Sequence, residues 1–378
     1  MRTVLLVGAF GQGNPGDEAL LGAFVRNLDG WHVVATSSDV DHTISSAGCD
    51  AVSVGEAKNV ALQAVRADAV VFGGGTIFKT LHPSSGRSPN DLLRKGLVLA
   101  AGARTLGKPV AMLGVGAGRL DNAYAEMLAR AFAQRTDLLI LRDEESAVLL
   151  TDAGVRPPFR IGADPAWALF GMDGGETISN PARSSGPGEH IVVALSHLAG
   201  DRTLASRITH ALRPCLADGL EVKLQPWQIA ASSDGDLSLA EELAADLGVE
   251  ILSPPRDLDD ARKTFSRARL VVAFRYHALI ASAVAGTPFV SYGHEPKLIG
   301  LSRRLHQTSV PERLPPEALG EAIKLSLNAE PAPSEAIGRE IDTAHEGFRL
   351  LRLLLDGGEA TQPEDVDGLP LAPPPTPS

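Results

Sequence analysis

Basic side chains stand directly after short apolar runs at three places in the chain. Arg142 closes "LLILR", Arg275 closes "RLVVAFR" with His277 two residues later, and Lys297 follows "PFVSYG" in "HEPKLIG". Each run reads as a buried strand of a parallel sheet, and ligands of such sheets lie beyond the carboxyl ends of the strands. Arginine offers a planar fork to phosphate or carboxylate, and lysine a compact point charge. Together Arg142, Arg275, His277 and Lys297 define a site for a polyanion. Taken alone, Arg142 reads as a surface ion pair, and the Asp143 that follows it suits the N-cap of a helix through "DEESAVLLTDAG". Arg275 and His277 precede the apolar helix "HALIASAVAG", where burying both without partners would be costly. His277 also fits an ordinary hydrogen-bonded histidine.

A carboxylate and three glycine loops complete the set. In "GAFGQGNPGDEALL", Gly11 to Gly16 has the G-x-G-x-x-G spacing of a dinucleotide loop, but Asp17 and Glu18 fill the first helical turn, where they would repel a pyrophosphate. Pro15 also removes one N–H from the loop. The NAD reading is therefore set aside, although Asp39 sits where a ribose-binding acid would. A loop with Gly13, Asn14, Asp17 and Glu18 better suits a neutral, hydroxylated ligand, with Asp17 or Glu18 orienting or deprotonating an alcohol. Either acid also reads as a simple helix cap. "VVFGGGTIF", with Gly73, Gly74 and Gly75, and "LGVGAGRL", with Gly114, Gly116 and Gly118, place bare backbone after two further strands. "GARTLGKP" imitates a phosphate loop over Gly102 to Lys108, but Pro109 stands where the metal-binding hydroxyl belongs and a strand follows rather than precedes it.

The elements that must hold these residues alternate between β-branched runs and helical patterns, as in a parallel sheet covered by helices on both faces. A chain of 378 residues exceeds one ordinary core. Domains are expected at 1–172 and 190–330, joined by a Gly/Ser/Pro-rich linker over 173–189. A helix at 334–357 carries Ile337, Ile341, Ala344, Phe348, Leu351 and Leu355 on one face, and the Pro-rich tail 358–378 reads as disordered. The expected architecture is α/β, two Rossmann-like doubly wound domains facing a cleft.

With 46 acidic and 35 basic residues the net charge is -11, which argues against a nucleic-acid partner. Cys49 and Cys215 have no metal-like spacing and suit a reducing, cytoplasmic setting. No apolar stretch is long enough to form an integral membrane segment. No H-E-x-x-H, H-x-H or G-x-S-x-G is present, and the acid pairs Asp39/Asp41, Asp234/Asp236 and Asp257/Asp259 read as turns and helix starts, so no metal is expected.

"GAFGQGNPGDEALL", "FGGGTIF", "LRDEESAVLL", "GADPAW" and "FRYHALIASAVAGTPFVSYGHEPKLIGL", in that order, resemble the polysaccharide pyruvyl transferase family from about Val4 to Leu305. The resemblance implies a GT-B-like fold and transfer of pyruvate from phosphoenolpyruvate to a sugar diol as a cyclic ketal. Phosphate is released, and phosphoenolpyruvate is a co-substrate rather than a cofactor. By motif, Arg142, Arg275, His277 and Lys297 would bind the donor, and His277 and Asp17 would be catalytic. Gly13, Asn14, Asp17, Glu18, Gly74, Gly75 and Gly116 would form the acceptor side. The saccharide acceptor could be lipid-linked, with the protein working beside the inner face of the membrane. Glu295 stands where the family often has Asp before its proline. Two alternatives share the scaffold: a GT-B glycosyltransferase using a nucleotide sugar, and a non-catalytic sugar- or anion-binding protein.

Overall fold

The computed structural model describes residues 1–82, 86–156, 158–171, 188, 190–196, 203–228, 235–293 and 295–357. Apart from residue 188, the expected linker lies outside the described residues, as does the whole of the expected tail. The chain forms two compact units: Met1–Gln12 with Asp17–Leu169 and Glu340–Ser378, and Gly13–Gly16 with Phe170–Arg339.

In the first unit, β1 (Arg2–Phe10), α1 (Pro15–Asn27), β2 (Trp31–Ser37), α2 (Val40–Ala47), β3 (Asp50–Ser53), α3 (Ala57–Arg66) and β4 (Ala69–Gly73) alternate. Then come β5 (Thr76–Phe78), α4 (Asp91–Thr105), β6 (Val110–Ala117), α5 (Ala123–Ala133), β7 (Leu138–Leu141), α6 (Glu144–Asp152) and β8 (Arg160–Ile161). The sheet order is β3-β2-β1-β4-β6-β7-β8, with β5 paired to β6, and every pairing is parallel. Strand order reverses between β1 and β4, so the loops "GQGNPG" and "GGG" leave the sheet on either side of its switch point.

Sequence fixes these elements locally. Val4, Leu5, Leu6, Val70, Val71 and Met112 are fully buried, as continuous apolar strands under helices on both faces require. Asp39 caps α2 by accepting the His42 N–H, and Gly48 closes that helix at φ 68°, a left-handed conformation that glycine adopts without strain. Lys108, the lysine of the false phosphate loop, donates from Nζ to the carbonyls of Ala64, Val65 and Ala67 and so caps the carboxyl end of α3.

In the second unit, β9 (His190–Leu195), α7 (Thr203–Ala217), β10 (Glu221–Pro226), α8 (Gly235–Leu247), β11 (Glu250–Ile251) and α9 (Leu258–Phe265) lead to β12 (Leu270–Ala273). They are followed by α10 (Tyr276–Val284), β13 (Phe289–Gly293), α11 (Pro296–Arg304), β14 (Thr308–Pro311) and α12 (Pro316–Ser326). Its parallel sheet has the order β11-β10-β9-β12-β13-β14, with the switch point between β9 and β12. Arg275 lies just past the end of β12, beside that switch point.

The last helix, α13 (Ser334–Leu355), packs from Glu340 onward with the first unit. Phe348 meets Phe24 edge-on with ring centroids 5.1 Å apart, and Arg2 donates to the Leu355 carbonyl at 3.0 Å.

Candidate active site

The loop after β1 is closed by its own side chains. Asn14 Oδ1 accepts the Gly16 N–H at 3.1 Å, and Glu18 Oε1 reaches back to the Gly11 N–H at 2.8 Å. Gly11 and Gly13 have φ 71° and 65°, and a Cβ on Gly11 would fall 2.1 Å from Ser37 Oγ. Two N–H groups that a pyrophosphate would need are therefore engaged within the loop, while Pro15 has none and Asp39 is occupied as a cap. This agrees with setting the dinucleotide reading aside. Burial raises the Glu18 carboxyl above its ordinary value, against the pull of the Gly11 N–H. Glu18 is the fastener of the loop. Asp17, half-buried beside it, is the acid whose carboxylate is not held to Gly11.

Past β4, Gly74 and Gly75 both have positive φ, 65° and 71°. Leu20 fills the space against Gly74, whereas nothing lies within 4 Å of a Cβ placed on Gly75. Gly116, near the end of β6, is shaped by Arg142: a Cβ there would sit 2.3 Å from the guanidinium Nη2.

Arg142 differs from the surface ion pair that its position suggests. Its side chain is 2% exposed, with Nε donating to Asp143 Oδ2 at 3.0 Å and Nη1 lying 3.6 Å from Asp164 Oδ2. Nη2 is 3.4 Å from Thr76 Oγ1. The missing backbone bulk at Gly116 and a buried acid from "GADPAW" accept a charge that the sequence alone puts at the surface. Burial acts to raise the Asp143 carboxyl, but the Arg142 charge and the bonds from Ser146 outweigh it and hold that carboxyl below the usual range.

In the second unit, Arg275, His277 and Lys297 follow β12 and β13 as their spacing predicts. His277 is the second residue of α10, buried, with its ring edge-on to Tyr276 at 5.6 Å. Gly16 belongs to this unit and lies against it: a Cβ on Gly16 would fall 2.0 Å from the imidazole Nδ1. Lys297, in the first turn of α11, pairs with Glu295 at 2.9 Å. Arg275 Nη2 donates to both oxygens of Asp236, at 3.0 and 2.9 Å. Asp236 lies in the first turn of α8, in keeping with its sequence reading as a helix start, and it is 0% exposed. Asp164 and Asp236 are the residues that sequence reasoning leaves without a role. Asp164 stands inside a quoted motif, whereas Asp236 has no signal, because its partner is 39 positions away.

Each unit thus carries its candidate residues at the carboxyl ends of parallel strands, and the two parallel-sheet units make the fold GT-B-like. The chain matches the model of the family described as polysaccharide pyruvyl transferase over residues 14–296, and it belongs to that family. A search of curated protein sequences gave no match. Among solved structures, the chain is similar to UDP-GlcNAc 2-epimerase from Methanocaldococcus jannaschii, with TM-score 0.62, 14% identity, and 94% of this chain and 100% of that one covered. It is also similar to Anabaena HepE in complex with UDP and glucose, with TM-score 0.61, 13% identity and coverage of 94% and 100%. These likenesses concern the fold. Among the described residues, no helix is long and apolar enough to cross a membrane.

Proposed function

We propose that this protein transfers pyruvate from phosphoenolpyruvate to two hydroxyls of a saccharide as a cyclic ketal. The observation that supports this most is the family match, whose span takes in Asp17, Arg142, Arg275 and His277 and stops one residue before Lys297. The donor carries a phosphate and a carboxylate, which suit the forks of Arg142 and Arg275 and the ammonium of Lys297.

His277 gives its proton to the methylene carbon, and C2 becomes cationic. An acceptor hydroxyl adds to C2 while Asp17 takes its proton. The bond from C2 to the phosphate oxygen then breaks, and Asp17 returns the proton to the departing phosphate. The second hydroxyl closes the ring on C2 and gives its proton to His277, which restores the starting state. No electrons leave or enter, so no redox cofactor is assigned. Fixed cations matched to the donor's charge would supply much of the rate enhancement. The work is assigned to the cytoplasm, on a free or lipid-linked saccharide.

The test is to incubate purified protein with phosphoenolpyruvate and a panel of glycans, following phosphate release and a pyruvyl mass increment. Product is expected with at least one vicinal or 1,3-diol acceptor. Donor binding without turnover would favour the binding-protein reading. Binding of UDP-glucose in preference to phosphoenolpyruvate would favour a nucleotide-sugar transferase, a reading that draws on HepE, solved with UDP and glucose. Variants must respect burial. Arg142→Ala removes the guanidinium from beside two buried carboxylates, and a loss of about 3–5 kcal/mol in chemical denaturation is expected. Arg142→Lys keeps the charge and is the variant for donor affinity.

A further inference from the structure

We propose that Asp236 is a positioning residue of the donor site, fixing Arg275 so that its remaining N–H groups meet an anionic oxygen of phosphoenolpyruvate. The proposal rests on the pyruvyl-transfer reading above.

The carboxylate of Asp236 is itself anchored. Oδ2 accepts the main-chain N–H of Gln228 at 2.8 Å and lies 3.3 Å from that of Trp227, both just past the end of β10. Both oxygens also take Nη2 of Arg275, just past the end of β12. In the sheet, β9 lies between β10 and β12. Asp236 therefore ties together the two segments that flank the end of β9, and it holds the guanidinium beside the switch point where a parallel sheet takes its ligand.

One donor is left over. Arg275 Nε is buried and has no hydrogen-bond partner among the described residues. A buried N–H of a charged group without an acceptor is costly, and an anionic ligand oxygen would satisfy it. The side chain is 20% exposed, against 0% for Asp236, which puts the acid behind the arginine and the arginine toward solvent. Fixing a long, flexible side chain before binding lowers the entropy that binding must overcome.

The experiment uses the full chain labelled with 15N-arginine, in wild-type, Asp236→Asn, Arg275→Lys and doubly substituted forms. The Arg275 Nε–H signal is identified by its loss in Arg275→Lys. It is expected to be protected from solvent exchange in wild type, to lose that protection in Asp236→Asn, and to shift when phosphoenolpyruvate is added. Calorimetric Kd for phosphoenolpyruvate should rise about tenfold in each single variant and no further in the double one, because the acid acts through the arginine.

Equal protection in wild type and Asp236→Asn, an unchanged Kd in Asp236→Asn, or losses that add in the double variant would overturn the proposal. If protection is lost in Asp236→Asn but phosphoenolpyruvate leaves the wild-type signal unmoved and does not bind, the donor reading fails while the hold of Asp236 on Arg275 stands. Should Asp236→Asn not fold, Asp236→Glu, which displaces the charge by one methylene, is read against the same outcomes.

Discussion

The two adjacent acids of the glycine loop stand in different surroundings. Helix position alone does not separate Asp17 from Glu18, because both lie in the first turn and either is favourable there; only the family resemblance prefers Asp17. The structure separates them through a hydrogen bond seven residues back along the chain, from Gly11 N–H to Glu18 Oε1. A carboxylate that fastens its own loop is a poor choice for moving a substrate proton, which is in keeping with the proposal that gives that task to Asp17. Glu18 is held at a cost, since burial raises its pKa above the ordinary 4.5. The folded state therefore binds this proton more tightly than the unfolded chain. That contribution to stability is complete below pH 4.5 and is lost as pH rises through the raised value. Glu18→Gln keeps an acceptor for Gly11 and has no charge to bury. In urea denaturation it should match wild type at pH 4 and exceed it at pH 7. A variant less stable than wild type at pH 7 would show that the charged bond to Gly11 outweighs burial.

Strand ends and helix starts meet at Arg142 and Asp143, where one residue follows β7 and the next caps α6. Asp143 accepts the Ser146 N–H at 2.7 Å with one oxygen and Arg142 Nε with the other. The cap was legible from the pattern Asp followed by a helical run, and the arginine from its place after "LLIL". Their burial was not, because it depends on Asp164 and Gly116, which neighbouring sequence does not reveal. Short strands escaped for a similar reason: β5 has three residues and β8 two, too few to show a period, and each is defined only by its pairing. Long apolar strands such as β1 and β6 were plain, since both faces are covered and nearly every residue is apolar. Asp143→Ala removes the cap and one partner of a buried arginine, and should cost about 3 kcal/mol in urea denaturation at pH 7. Asp143→Asn keeps the cap acceptor and should cost about 1 kcal/mol less. Because the Asp143 carboxyl is held below its ordinary 3.8, its contribution is present above that value and lost as pH falls through the lowered one. The gap between wild type and Asp143→Asn should therefore narrow at pH 3.

Chain order and packing order part company at the carboxyl-terminal helix. Its apolar stripe is readable at three- and four-residue spacing, but a stripe does not say which surface it covers. From Glu340 onward the helix belongs with the first unit, so the last described segment of sequence completes the core begun by the first. Phe348 is fully buried on Phe24, and Gly347 sits where a Cβ would come 2.8 Å from Leu113. A defect placed late in the chain should therefore be felt at its beginning. Phe348→Ala is expected to cost about 3–5 kcal/mol, the usual range for emptying a buried phenyl site. The three tryptophans report where that cost falls: Trp31 and Trp167 lie in the first unit, and Trp227 in the second. In a Trp227→Phe background, Phe348→Ala should lower the urea midpoint read by the remaining fluorescence. In a Trp31→Phe/Trp167→Phe background the same substitution moves the midpoint only insofar as the units unfold as one. A shift seen at Trp227 alone would contradict the assignment of this helix to the first core.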